Sequence, residues 1–235
     1  TLELAAEQRE RLDLFIAKVQ RKSDELAEIQ SLDYGGGASA TLIGIEVRRR
    51  SNQQRDAIAG LIEAFADAQA VGVKTDAEEK IVGDLLERDA GSLKKQILAQ
   101  KKRIRELVDL TGSSTSVEQR LAAKIDLTLE VPSSDKLFVE FVDNLQLRER
   151  FGLDISTERN ALGKELQMRA QLSEGLIRAA RDSIKAKEKT SAGQSGGVRE
   201  RDLRRLKDLR STFAESLRAT IRLLDKFGLD SAVHK

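Results

Sequence analysis

The chain has 235 residues, 41 basic against 39 acidic, with 34% charged and only 3% aromatic residues, a single histidine and no cysteine. Without cysteine, disulfide frameworks and thiolate metal sites are excluded, and a net charge of +2 gives no global pull towards nucleic acid or anionic lipid. Hydrophobic residues still amount to 40% and recur in order, as in coiled coils and helical bundles and unlike a disordered chain.

The first helix is predicted from Leu2 to Leu32. Leu12, Phe15, Val19, Leu26 and Ile29 recur at three- and four-residue steps, the rhythm of a coiled-coil seam, with Ala5, Gln8 and Lys22 filling the remaining places. Asp33-Tyr34-Gly35-Gly36-Gly37 ends it. The second helix spans Ser39 to Ala70 and is apolar at both ends. Its middle, Glu46 to Ala57, offers only Val47 and Ala57 to a seam, so packing there is expected to be wet or to face a partner. Thr75-Asp76-Ala77-Glu78 reads as a capping box opening a third helix that runs to Thr111, and Thr115-Ser116-Val117-Glu118 as a second box.

Pro132, with Ser133, Ser134 and Asp135, reads as a stop and restart between two short helices. Leu137, Phe138, Phe141, Val142 and Leu145 share one face of the second. A long helix from Ser156 to Lys189 carries Leu162, Leu166, Ala170, Ile177, Ala180 and Ile184. A last one, Arg199 to Phe227, carries Leu203, Leu206, Phe213, Leu217 and Leu224. The expectation is an all-α fold, an elongated antiparallel helical bundle or coiled coil of about seven helices, five of them long. Its expected parts are residues 1–112 (three long helices in hairpins), 113–152 (two short helices) and 153–235 (a C-terminal hairpin with a flexible connector at 190–198). No internal repeat at a fixed period is visible.

Catalytic motifs fail on context. Gly193-Gln194-Ser195-Gly196-Gly197 matches the nucleophile-elbow pattern, but a lysine-rich helix end precedes it and the only histidine, His234, lies in the tail. Gly35 to Thr41 lacks the lysine of a phosphate-binding loop. One histidine cannot assemble a zinc site, and no calcium loop is present. The reading is a non-enzyme without cofactor or metal. Lys94, Lys95, Lys101, Lys102, Arg103 and Arg105 form a basic stripe with no acid among them, and further clusters lie at Arg48–Arg55 and Arg199–Arg210. Such stripes can hold phosphates or acidic lipids, but no aromatics are interleaved for base stacking.

The first expectation of function is a structural or interaction protein, a coiled-coil subunit or scaffold of a larger assembly, or one that self-associates. Its partner-binding residues would be Leu12, Phe15, Val19, Leu203, Phe213 and Leu217 on the stripes, with Phe138 and Phe141 as groove anchors. In architecture alone the chain also resembles the periplasmic sensor modules of bacterial chemoreceptors and sensor kinases, which implies a small ligand held between helices and a helix shift as signal. Binding of nucleic acid or anionic lipid by the basic faces is the third reading. No apolar run reaches the roughly 18 residues of a transmembrane helix. The opening Thr1-Leu2-Glu3-Leu4 lacks Met and a signal-peptide layout, as in a piece of a longer protein. The compartment is read as intracellular, or periplasmic if the sensor reading holds.

Overall fold

The structure is a computed structural model that describes residues 2–31, 38–112, 116–189 and 197–229, without the side chains of 30, 38–44, 48, 189 and 197–199. Six helices and no strand are found among the described residues: α1 (Leu2–Ser31), α2 (Ala38–Ala70), α3 (Asp76–Leu110), α4 (Val117–Arg150), α5 (Ser156–Lys189) and α6 (Gly197–Lys226). The fold is an all-α helical bundle. Of the predicted connector at 190–198, residues 190–196 lie outside the described residues, and α6 starts at Gly197.

The count is six rather than seven because α4 runs through Pro132 without a break. Its buried residues Leu127, Val131, Ser134, Phe138, Phe141 and Leu145 step by three and four straight past the proline, which itself sits on the exposed face. Proline removes one helical N–H, so the carbonyl left without its donor is that of Thr128. Ser134 and Asp135 looked like a stop signal, yet both serve the interior. Arg169 of α5 donates through Nη1 to Ser134 Oγ at 2.9 Å and through Nη2 to Asp135 Oδ1 at 2.5 Å. Ser216 of α6 donates to the same Asp135 oxygen at 2.9 Å, and the guanidinium lies 5.0 Å from the Phe138 ring centroid. One arginine thus ties three helices together.

Two compact units divide the chain: Thr1–Ser92 with Asn144–Asp154, and Leu93–Asp143 with Ile155–Lys235. In the first unit α1 and α2 pack antiparallel, with Phe15 against Gly60 and Gln54 Nε2 donating to Ser23 Oγ at 2.6 Å. Leu12, Val19, Ile58, Leu61, Val82 and Leu86 form a core closed by Phe151, whose ring lies 5.1 Å from that of Phe65. The polar middle of α2 is drawn inside. Ser51 and Gln54 hold the seam positions before Ile58, Leu61 and Phe65 and are buried, so the seam there includes more than Val47 and Ala57.

The second unit packs the rest of α3 and α4 against α5 and α6. Ile104, Leu107, Leu127, Val131, Leu209 and Phe213 form its core, with Leu176 and Ile177 alongside. The α6 seam runs Leu206, Leu209, Phe213, Ser216, Thr220, Leu224 and Phe227, all buried. Ser216 and Thr220 therefore occupy places that a purely apolar stripe assigns to Leu217, which is half-buried.

The helix ends follow local chemistry. At Gly72, Gly152 and Gly228 the backbone turns left-handed, with φ of 82°, 76° and 61°. The next residue then bonds back five places, as in Val73 N–H to Ala68 O at 3.0 Å and Leu153 N–H to Arg148 O at 2.9 Å, a Schellman closure. The N-terminus of α4 is a reciprocal box, with Gln119 N–H to Ser116 Oγ at 3.2 Å and Ser116 N–H to Gln119 Oε1 at 3.1 Å. That box begins at Ser116, one residue later than predicted, because Gln119 rather than Glu118 reaches back; Thr115 lies outside the described residues. At α3, Thr75 Oγ1 accepts from Gln69 at 3.3 Å and Glu78 is engaged by Arg9, so both predicted box residues tie α3 to neighbouring helices.

Candidate functional site

The helix seams place the predicted partner residues largely in the interior. Leu12 and Val19 are fully buried, and Phe138, Phe141 and Phe213 nearly so. Phe15, Leu203 and Leu217 are half-buried. Phe138 and Phe141 belong to one buried face of α4, under the guanidinium of Arg169 and beside Lys94, whose Nζ lies 5.8 Å from the Phe141 ring.

The basic stripe on α3 is largely offset by neighbouring carboxylates. Lys101 donates to both oxygens of Glu165, at 2.6 and 2.8 Å. Lys94 lies 3.5 Å from Glu158, Lys102 3.9 Å from Glu106, and Arg103 3.7 Å from Asp126. Lys95 and Arg105 are exposed. In the second cluster Arg49 and Arg50 both hold Glu46, and these bonds lower its carboxyl to about 2. Arg48 lies outside the described side chains.

The first unit contains a buried polar centre. Asn144 of α4 donates through Nδ2 to Asp89 Oδ2 at 2.8 Å and to the Leu86 carbonyl at 3.2 Å. Burial pushes the Asp89 carboxyl above its ordinary range, opposed by the charge of Arg55 and by the Asn144 hydrogen bond. Asn144 holds Asp89 on the turn of α3 that follows Leu85 and Leu86, so the centre reads as a polar layer within the core.

The second unit contains a different arrangement at one end of its seam. Counting back from Leu127 by three and four, the next α4 seam positions are Lys124 and Arg120. Counting on from Ile184 of α5 gives Lys187, and back from Leu206 of α6 gives Asp202. Four seam positions that elsewhere carry apolar side chains therefore carry charge. They line a cavity of about 480 Å³ whose walls include Leu127, Leu176, Leu206, Leu209 and Phe213. Lys124 Nζ donates to Asp202 Oδ1 at 2.5 Å, and Lys187 pairs with Asp202 Oδ2. Lys124 is buried, with 7% of its surface exposed, and burial, with the charge of Arg120, lowers its ammonium below the ordinary lysine value. No sequence motif marks this site, because its charges come from positions far apart in the chain. The legible signal was charge at seam positions of three separate helices.

Residues 193–196 of the 193–197 motif and His234 lie outside the described residues, as do Gly35–Gly37 of the glycine loop. Among the described residues no group of three or more His, Cys, Asp or Glu is placed to hold a metal ion. Among them, too, no helix is long and apolar enough to cross a membrane. Compared with models of protein families, curated proteins and solved structures, the chain matches none.

Proposed function

We propose that this chain is a non-enzymatic interaction module that pairs through the outward face of α4. The observation that carries the reading is a second apolar stripe on that helix. Ala122, Ile125, Leu129, Pro132 and Val139 lie on the heptad rhythm opposite the buried seam, with the exposed Lys136 at the one place between the last two, and Leu129 is 67%, Val139 39% and Ile125 37% exposed. A helix needs one such stripe for its own fold; a second at coiled-coil spacing suits a docked helix. An antiparallel pair of α4 helices centred on Pro132 sets Ile125 of each copy opposite Val139 of the other, which makes the face self-complementary. The offset charges of the α3 stripe support this reading over nucleic-acid binding.

Solution mass by sedimentation equilibrium tests it. The expected result is a mass that rises towards the dimer with concentration, and a monomer for Leu129→Glu with an unchanged circular dichroism spectrum. A wild-type chain that stays monomeric at every concentration overturns the reading.

A further inference from the structure

We propose that the outward face of α3 is a docking surface for a second copy of this chain, which brings the outward face of its α1. The contact is independent of pairing through α4. On α1, Glu7, Glu10, Leu14 and Ala17 recur at three- and four-residue steps on the side away from Leu12 and Val19. All four are exposed, Leu14 by 66%. On α3, within the second unit, Lys95, Leu98, Lys102 and Arg105 recur in the same way on the side away from Leu93, Ile97 and Ile104. They too are exposed, Leu98 by 65%. Each stripe joins one large apolar side chain to charges of a single sign, acidic on α1 and basic on α3. Among the described residues Glu7, Glu10, Lys95 and Arg105 have no hydrogen-bond or ion-pair partner. Lys94 and Lys101, to the side of the stripe, are engaged by Glu158 and Glu165. Lys102 meets Glu106 at 3.9 Å, with both side chains exposed.

The spacing makes the two stripes complementary in one direction. Laid antiparallel with Leu14 on Leu98, the helices set Glu10 against Lys102, Glu7 against Arg105 and Ala17 against the stem of Lys95. The match extends over about 15 Å of helix. Laid parallel, they set Arg21 of α1 against Arg105. Opposite charges across a contact fix its register, and like charges exclude the alternatives. Both halves of the match are on this chain, so a second copy supplies the occupant. Duplex DNA or an anionic membrane would use the basic stripe and leave the acidic one without a role.

Sedimentation equilibrium of the whole chain carrying Leu129→Glu, which removes the centre of the α4 stripe, tests the proposal. Charges act over roughly 30 Å in about 0.01 M salt and over roughly 3 Å in about 1 M. The expected result is association in the low salt that is lost in the high salt. Pairing through α4 is read in the high salt, where Leu129→Glu is a monomer, so failure of either reading is seen separately. Adding Lys102→Glu or Glu10→Lys weakens the low-salt association by about tenfold or more, since each turns an attractive pair into a repulsive one. Adding both restores it, as does mixing the two single variants. Glu63→Lys, the same change at an exposed carboxylate of α2, leaves it unaltered. These positions are all exposed, and an unchanged circular dichroism spectrum verifies folding. A monomer in low salt, or a double variant no better than the singles, would overturn the proposal. So would Lys102→Glu acting where Glu10→Lys does not, with loss of binding to duplex DNA or phosphatidylglycerol vesicles, which marks α3 as a surface for those anions.

Discussion

Replacing Pro132 by alanine should stabilise the protein, and the sign of the change decides between two structures for residues 117–150. In a continuous helix, proline deletes the hydrogen bond to the Thr128 carbonyl and crowds the turn before it, at roughly 3 kcal/mol relative to alanine. Part of that is already relieved here, because the proline faces solvent and its freed carbonyl can bind water. The neighbouring Val131 carbonyl also receives Arg169 Nη2 at 3.5 Å. A net gain of about 2 kcal/mol is therefore expected, or roughly 4–8 °C in Tm at this chain length. If the helix instead stopped at Pro132, the proline would pre-set the turn, and alanine would lower stability by about 0.4–1 kcal/mol. Urea unfolding followed by far-ultraviolet circular dichroism, at constant m, separates the outcomes, and amide exchange across 129–136 locates them. A lower midpoint for Pro132→Ala, or unprotected amides at 133–136, would refute a continuous α4.

Three further outcomes are expected. Gly60→Ala should destabilise the first unit despite alanine's better helix propensity, because the new Cβ would lie 2.6 Å from Phe15 Cε1. Gly91→Ala and Gly175→Ala meet nothing within 4 Å and should each stabilise by about 0.5–1 kcal/mol in thermal melts. Equal signs at all three would show that Phe15 is not packed there. Ser116→Ala should cost about 1 kcal/mol by chemical denaturation, and no loss would place the α4 cap elsewhere. Asp89→Ala should cost about 1–3 kcal/mol, since it removes a buried acceptor of the Asn144 amide. Asp89 has a raised folded-state pKa. Its contribution is therefore complete below the unfolded value of about 3.9 and is lost as pH rises through the folded value. Stability measured across that window should fall in the wild type and flatten in Asp89→Asn.

Much of the helical architecture was legible because its signal is periodic. Leu12, Val19 and Leu26 are buried at the predicted spacing, as are Leu162, Leu166, Ala170 and Ile184. The misreadings share one physical cause. Ser134, Asp135 and Gln54 lie where polarity suggested an interruption, Ser216 and Lys124 where polarity hid a seam position, and their partners, such as Arg169, Ser23 and Asp202, come from other helices. A polar side chain at a seam position looks the same in sequence whether it ends a helix or joins two. The cavity was hidden for that reason.

The division of the chain into units carries a consequence for how it is made. The first unit takes residues Thr1–Ser92 and then Asn144–Asp154, so its contact set spans an intervening stretch that belongs to the other unit. During synthesis, α1 and α2 can pair as soon as they leave the ribosome. The bond from Asn144 to Asp89 and the closure of the core by Phe151 must wait until that whole stretch has been translated. Such contacts, distant in the chain, form late and slow folding. A nascent chain arrested just after Ser92 should hold the hairpin without its finished core, and protection of its amides should rise only once Asp154 has emerged.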